Sequence, residues 1–186
     1  MLLAAALAAC GGADGPKFRG TDITGADFGR TLALTGHDGK PRTLADFRGK
    51  LVVLFFGYTH CPDVCPTTLA DVAGSLKSLG ADAARVQVLF VTLDPERDTR
   101  EVLSQYVPAF DPSFLGLYGD AAATERAAKE FKIFYEKRPG SAPGVYTVDH
   151  SAQVYVLDGQ GRLRLLERNE RIAQDLAEDL RTLLRR

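Results

Sequence analysis

Two cysteines four residues apart, in the stretch Gly57-Tyr58-Thr59-His60-Cys61-Pro62-Asp63-Val64-Cys65-Pro66, are the residues of this chain best suited to chemistry. A thiolate is both a nucleophile and a soft metal ligand, so paired sulfurs can exchange disulfides or clasp an ion. Pro66 biases the residue before it out of the α region and suits a helix start, which makes Cys65 the expected N-cap and leaves Cys61 in the preceding loop. There, unpaired N–H groups and the positive end of the helix dipole favour thiolate over thiol. The intervening residues, stiffened by Pro62, leave room for either a disulfide or a metal between the sulfurs. With Gly57, Pro62, Asp63 and Pro66 around them, the cysteines read as lying outside the interior.

Such sulfurs need a rigid platform, and the flanking pattern supplies one. Aliphatics followed by two phenylalanines over residues 51–56 predict a strand buried on both faces. Leu69, Val72, Leu76 and Leu79 then recur at helical spacing and predict a helix over 67–79, with Gly80 as its C-cap. A second buried strand at 86–93 runs into Asp94-Pro95-Glu96-Arg97-Asp98-Thr99. If the two strands are parallel, Asp94 comes near the cysteine loop, while Asp98 or Thr99 can cap the helix carrying Val102, Leu103 and Tyr106.

Further along, 108–119 reads as a loop, 120–131 as an amphipathic helix and 132–146 as an irregular excursion or loose hairpin, followed by Val148-Asp149-His150-Ser151. Asp38-Gly39 and Asp158-Gly159 are strong hairpin signals. A last helix, capped by Asn169, sets Ile172, Leu176, Leu180 and Leu183 on one face. His37 falls on the first hairpin turn and reads as a solvated histidine. His60 should point away from the sulfur of its neighbour, although it could still lower that thiol's pKa. A strand-helix-strand crossover beside an antiparallel pair predicts an α/β, thioredoxin-like fold. It carries an N-terminal hairpin and an inserted loop or hairpin before the strand bearing His150, with the cysteines at the active corner.

Composition narrows the partners. The chain has 186 residues, with 23 Lys+Arg against 24 Asp+Glu and no basic run interleaved with aromatics, which argues against nucleic acid. One methionine and three histidines exclude a methionine-rich copper site and leave cysteine and histidine as the soft donors. Residues 1–9 form an alanine-rich apolar run ending in Leu7-Ala8-Ala9-Cys10, which resembles a bacterial lipoprotein signal without the usual charged start. Cys10 is then the lipidated residue, 10–27 a flexible tether and 28–186 the folded domain, anchored on the periplasmic side of a bacterial membrane.

Three separated motifs, Tyr58 to Pro66, Leu93 to Thr99 and Asp149-His150-Ser151, closely resemble those of the Sco/SenC family of copper proteins, over about residues 28 to 186. The resemblance implies a thioredoxin-like fold and a role in assembling the binuclear copper centre of cytochrome c oxidase. It implies copper ligation by Cys61, Cys65 and His150, carries the family's aspartate of the second motif onto Asp94, and makes the oxidase subunit or another copper chaperone the partner. Two thiolates and an imidazole suit Cu(I), whereas structural zinc usually wants four closed protein ligands. Thioredoxins place a cis-proline in the loop opposite their cysteines; here no proline follows Pro143, and His150 stands in that part of the chain. Two rival readings use the same sulfurs: a thiol-disulfide oxidoreductase acting on the recipient's cysteines, and, more remotely, a peroxiredoxin-like peroxidase with Cys65 as resolving thiol.

Overall fold

The computed structural model describes residues 17–142 and 144–185, so the Leu7-Ala8-Ala9-Cys10 stretch and the lipidation of Cys10 lie outside the described residues. In chain order the elements are β1 (Thr21–Asp22), β2 (Ala33–Gly36), β3 (Pro41–Thr43), β4 (Leu51–Gly57), α1 (Val64–Leu79), β5 (Val86–Thr92) and α2 (Arg100–Tyr106). Then come β6 (Leu115–Tyr118), α3 (Ala121–Glu130), β7 (Tyr135–Pro139), β8 (Tyr146–His150), β9 (Val154–Leu157), β10 (Leu163–Glu167) and α4 (Ile172–Leu184). Eight strands make one sheet in the order β1-β10-β9-β4-β5-β6-β2-β3, while β7 and β8 form a separate two-stranded sheet. β4 runs parallel to β5 and antiparallel to β9, which is the expected α/β, thioredoxin-like arrangement around the β4-α1-β5 crossover.

The central strands carry the core. All seven residues of β4 are buried, and Val53, Leu54, Phe55 and Phe56 have no exposed surface. Each such side chain stabilises the fold by roughly 1.5–3 kcal/mol relative to exposure, so the ends of β4 and β5 are rigid places from which to hang loops. On α1, Leu69, Val72, Leu76 and Leu79 are buried as the spacing predicts, and Ser75 ties the helix to α4 by donating to the Ile172 carbonyl at 3.3 Å.

Several expectations are corrected. Helix α1 begins at Val64 with Asp63 as N-cap, so Cys65 lies inside the first turn instead of capping it. Pro66 is the third helical residue, tolerated because the first N–H groups of a helix have no intrahelical partner. The loop expected at 108–119 contains β6, a strand too short to show alternation, built because β5 and β2 offer edges on either side. Residues 19–22, expected to belong to a tether, are instead part of the fold, since β1 pairs with β10 and Asp179 accepts the Arg19 and Gly20 N–H groups at 2.7–3.0 Å. Asn169 opens a 3-10 turn, and α4 starts only at Ile172. The hairpin before His150 is more regular than expected, and His150 is the last residue of its second strand, not part of a strand that follows it.

His37 is not a solvated turn histidine. Its backbone N–H donates to the Gly116 carbonyl at 2.8 Å and its Nδ1 accepts the Gly116 N–H at 3.0 Å, which staples the first hairpin to β6. Burial holds its pKa below the ordinary value, as an acceptor nitrogen requires.

Candidate metal centre

β4 ends at Gly57 and β5 at Thr92, and the loops that follow meet at the carboxyl edge of the sheet, where the Leu93 N–H donates to the Gly57 carbonyl at 2.8 Å. Loop 58–63 then turns into α1 and delivers the two cysteines very differently. Cys61 is half-buried, whereas Cys65 has no exposed surface, contrary to the polar reading of its neighbours. Gly57 makes the room: a Cβ there would lie 2.8 Å from Cys65 Sγ and 2.9 Å from the Phe90 ring. Asp63 makes no side-chain capping bond, and Cys61 Sγ occupies the helix start instead, accepting the Cys65 N–H at 3.5 Å.

This geometry splits the two thiols. A hydrogen bond from Cys65 lowers the Cys61 thiol from 9.0 to about 5; burial opposes this, and the Asp63 and Cys65 N–H groups assist it. The same bond, followed by burial, pushes the Cys65 thiol far up. With both sulfurs reduced, the pair therefore carries its negative charge on half-buried Cys61 and keeps the proton on buried Cys65. Because thiolate is the nucleophile, iodoacetamide should modify Cys61 with a rate that falls as pH drops through about 5 and levels off above it, while Cys65 stays protected. Peptide mass spectrometry across pH 4–9 measures this; equal rates at the two cysteines would contradict it.

His150 comes to the same corner from β8. Its Nε2 lies 3.5 Å from Cys65 Sγ, and its Nδ1 is 2.9 Å from the Ser151 carbonyl. A carbonyl only accepts, so Nδ1 carries a hydrogen, and in the neutral ring Nε2 is the nitrogen whose lone pair faces the sulfur, the orientation a ligating imidazole needs. Tyr58 and Phe55 meet the ring edge-on, with centroids 6.0 and 6.3 Å away. The three donors are linked pairwise through Cys65. Among the described residues no group of three or more Cys, His, Asp or Glu side chains is arranged to hold a metal ion as it stands, and His150 is joined to Cys61 only through Cys65.

The carboxylates sort differently from the sequence reading. Thr99 caps α2, which frees Asp98 to turn inward. There it is 1% exposed and accepts the Thr59 N–H at 3.0 Å, the Thr59 hydroxyl at 2.6 Å and the Thr92 hydroxyl at 2.6 Å. Asp98 thus anchors the cysteine loop, a role hidden in the sequence because an aspartate before Thr-Arg-Glu looks like one more cap. Asp94 is fully buried beside that loop, but one oxygen is engaged by Arg97 and the other accepts the Tyr146 hydroxyl at 2.7 Å. His60 faces Thr59 Oγ1 at 3.1 Å and Asp98 at 3.7 Å, and half of its side chain is exposed.

The pattern described as SCO1/SenC matches residues 20–185. This chain belongs to the SCO1/SenC family. It is 37% identical over 152 residues to the mitochondrial protein SCO2 homolog of Mus musculus, a match covering 81% of this chain and 60% of the other. Across three mammalian SCO2 relatives the match spans only 56% to 60% of their length. Among solved Sco structures, apo Sco1 of Thermus thermophilus is 43% identical with a TM-score of 0.80, over 90% of this chain and 97% of that one. Copper-bound ScoI of Bradyrhizobium japonicum is 38% identical with a TM-score of 0.77, over 84% of this chain and 99% of that one. The motifs that carried the Sco/SenC resemblance, including Cys61, Cys65 and His150, all lie inside the matched range.

Proposed function

We propose that this SCO1/SenC domain is a copper carrier that holds the ion with Cys61, Cys65 and His150 Nε2 and passes it on toward the binuclear copper centre of cytochrome c oxidase. The observation that carries this reading is the 3.5 Å approach of a lone-pair imidazole nitrogen to a sulfur of the CxxxC pair, from a strand 85 residues away. The donor set is soft enough for Cu(I). An open, low-coordinate site also suits cargo that must leave again. Loading replaces the proton that Cys65 retains, so copper binding releases protons and tightens with pH.

We further infer that the recipient is the copper-bearing oxidase subunit or another copper chaperone, and that the domain is tethered through a lipid on Cys10 at the outer side of a bacterial plasma membrane. The tether reading rests on Leu7-Ala8-Ala9-Cys10. No helix among the described residues is long and apolar enough to cross a membrane. Titrating the reduced chain with copper tests the central reading. One ion per chain, with a visible thiolate-to-Cu(II) charge-transfer band after oxidation, is the expected result; no band, or binding that survives blocking both thiols, would sink it.

A second reading has its own support. Cys61 is the more accessible, low-pKa partner and Cys65 the buried one, the asymmetry of an attacking and a resolving thiol. A thiol-disulfide reductase acting on the recipient's cysteines would use this pair without His150, so His150→Ala would keep exchange activity. The two roles are compatible in sequence, because copper loads only onto the reduced pair.

A further inference from the structure

We propose that Arg97 is the positioning residue that holds His150 against the cysteines, by clamping the β7-β8 hairpin to the loop between β5 and α2. The proposal rests on the reading of His150 as a copper ligand.

The hairpin needs such a device. Among the described residues its two strands pair only with each other, so the large sheet gives His150 no hydrogen-bonded register, and contacts outside the sheet fix the hairpin's position. Along β8, Tyr146, Val148 and His150 share one face because strand side chains alternate. At the His150 end the ring meets Cys65 and Tyr58. In the middle, Val148 is 3% exposed and its N–H bonds the Tyr58 phenol. At the far end everything converges on Arg97.

The Arg97 guanidinium makes three kinds of contact at once. Its Nε donates to the buried carboxylate of Asp94, its Nη1 donates to the Tyr146 carbonyl at 3.0 Å, and its Cζ lies 3.6 Å from the centre of the Tyr146 ring. Asp94 also accepts the Tyr146 hydroxyl at 2.7 Å, so carboxylate, guanidinium and phenol close a ring across two segments distant in sequence. The same guanidinium lies 5.8 Å from the Tyr58 ring, which sits between it and His150. Lysine has no planar fork and cannot serve Asp94, a carbonyl and a ring face together. The neighbouring Lys137–Glu96 pair at 2.7 Å also bridges hairpin and loop, but it is solvent-exposed and contributes little.

A hairpin whose buried polar fastening is centred on Arg97, with the Val148–Tyr58 bond and the exposed Lys137–Glu96 pair beside it, is an arm that can bring an imidazole to the sulfurs or carry it away. Losing Arg97 leaves Asp94 as an uncompensated buried carboxylate and frees the Tyr146 end of β8. His150 then loses its fixed approach although its own contacts are untouched.

The test loads the full reduced chain with copper and compares Arg97→Met, His150→Ala and the double variant. Cu(I) affinity is read by chelator competition, and imidazole ligation by nitrogen hyperfine splitting in the Cu(II) electron paramagnetic resonance spectrum. Arg97→Met should weaken Cu(I) by about tenfold, the lower end for residues that orient a ligand, and should remove or broaden the nitrogen splitting. The double variant should bind no more weakly than His150→Ala alone. Wild-type splitting in Arg97→Met, or losses that multiply in the double variant, would overturn the clamp while leaving the three-donor site standing. If His150→Ala binds copper like wild type, the three-donor reading falls and takes the clamp with it. Should Arg97→Met melt before loading, Tyr146→Phe decides: it deletes only the hydroxyl to Asp94, and it must shift the nitrogen splitting in the same direction or the clamp is rejected.

Discussion

Serine in place of Cys65 is expected to reduce Cu(I) affinity by more than the ~10–100-fold that losing an outer-shell partner costs a metal site. Cys65 is the hub of the proposed donor set: its sulfur faces His150 Nε2 at 3.5 Å, and its N–H and thiol both engage Cys61. A serine hydroxyl is hard, uncharged at neutral pH and shorter than a thiol, so it neither ligates Cu(I) nor reaches the imidazole. Cys61→Ser should be nearly as damaging, because it removes the resident thiolate and the acceptor at the start of α1. His150→Ala should be milder for Cu(I), which two thiolates can hold in linear geometry, and severe for Cu(II), which prefers nitrogen. Chelator competition under strictly reducing conditions measures all three. If His150→Ala leaves both oxidation states bound as in wild type, the imidazole is no ligand.

Asp98→Ala is expected to lower stability by about 3 kcal/mol, because it strands a buried backbone N–H and two hydroxyls that now share one carboxylate. In a domain of this size that corresponds to a fall in Tm of roughly 6–12 °C. Thr59 lies two residues before Cys61, so the loosened loop should also expose Cys65, and its alkylation under native conditions should rise toward that of Cys61. Thr59→Ser keeps the hydroxyl and serves as the control, with near-wild-type melting. Thermal unfolding followed by circular dichroism, with peptide mapping of the thiols, reads both effects. A melting point within 2 °C of wild type together with unchanged Cys65 protection would show that water replaces the carboxylate and that Asp98 anchors nothing.

Local chemistry in this chain was legible because it is written in short-range patterns. Apolar runs announced β4 and β5, helical spacing announced α1, and Asp-Gly turns announced both hairpins that join the large sheet. Thiols at a helix start announced thiolate character for both sulfurs; the Cys61 thiol does lie below its ordinary pKa, but the bond between the two and burial push Cys65 the other way. The errors share a cause. β6 has four residues and β1 has two, so neither can display a period; both exist because a neighbouring strand supplies the missing hydrogen-bond partners. Burial of Cys65 could not be seen either, since it depends on the empty space left by Gly57 and on the Phe90 ring from another strand.

Residue types and spacing alone determined the donor inventory, the central crossover and the kinship to copper proteins, because each is a property of segments a few residues long. The family resemblance grouped Cys61, Cys65 and His150, but only the tertiary structure decided how they meet. His150, Asp98 and Arg97 lie 85, 33 and 32 residues from Cys65 in the chain, and the side-chain bonds that bring them to the corner connect segments whose sequences carry no record of one another. Pairing of that kind is set by the register of β4 against β5 and by where one hairpin is fastened, and both are settled only when the whole core is packed.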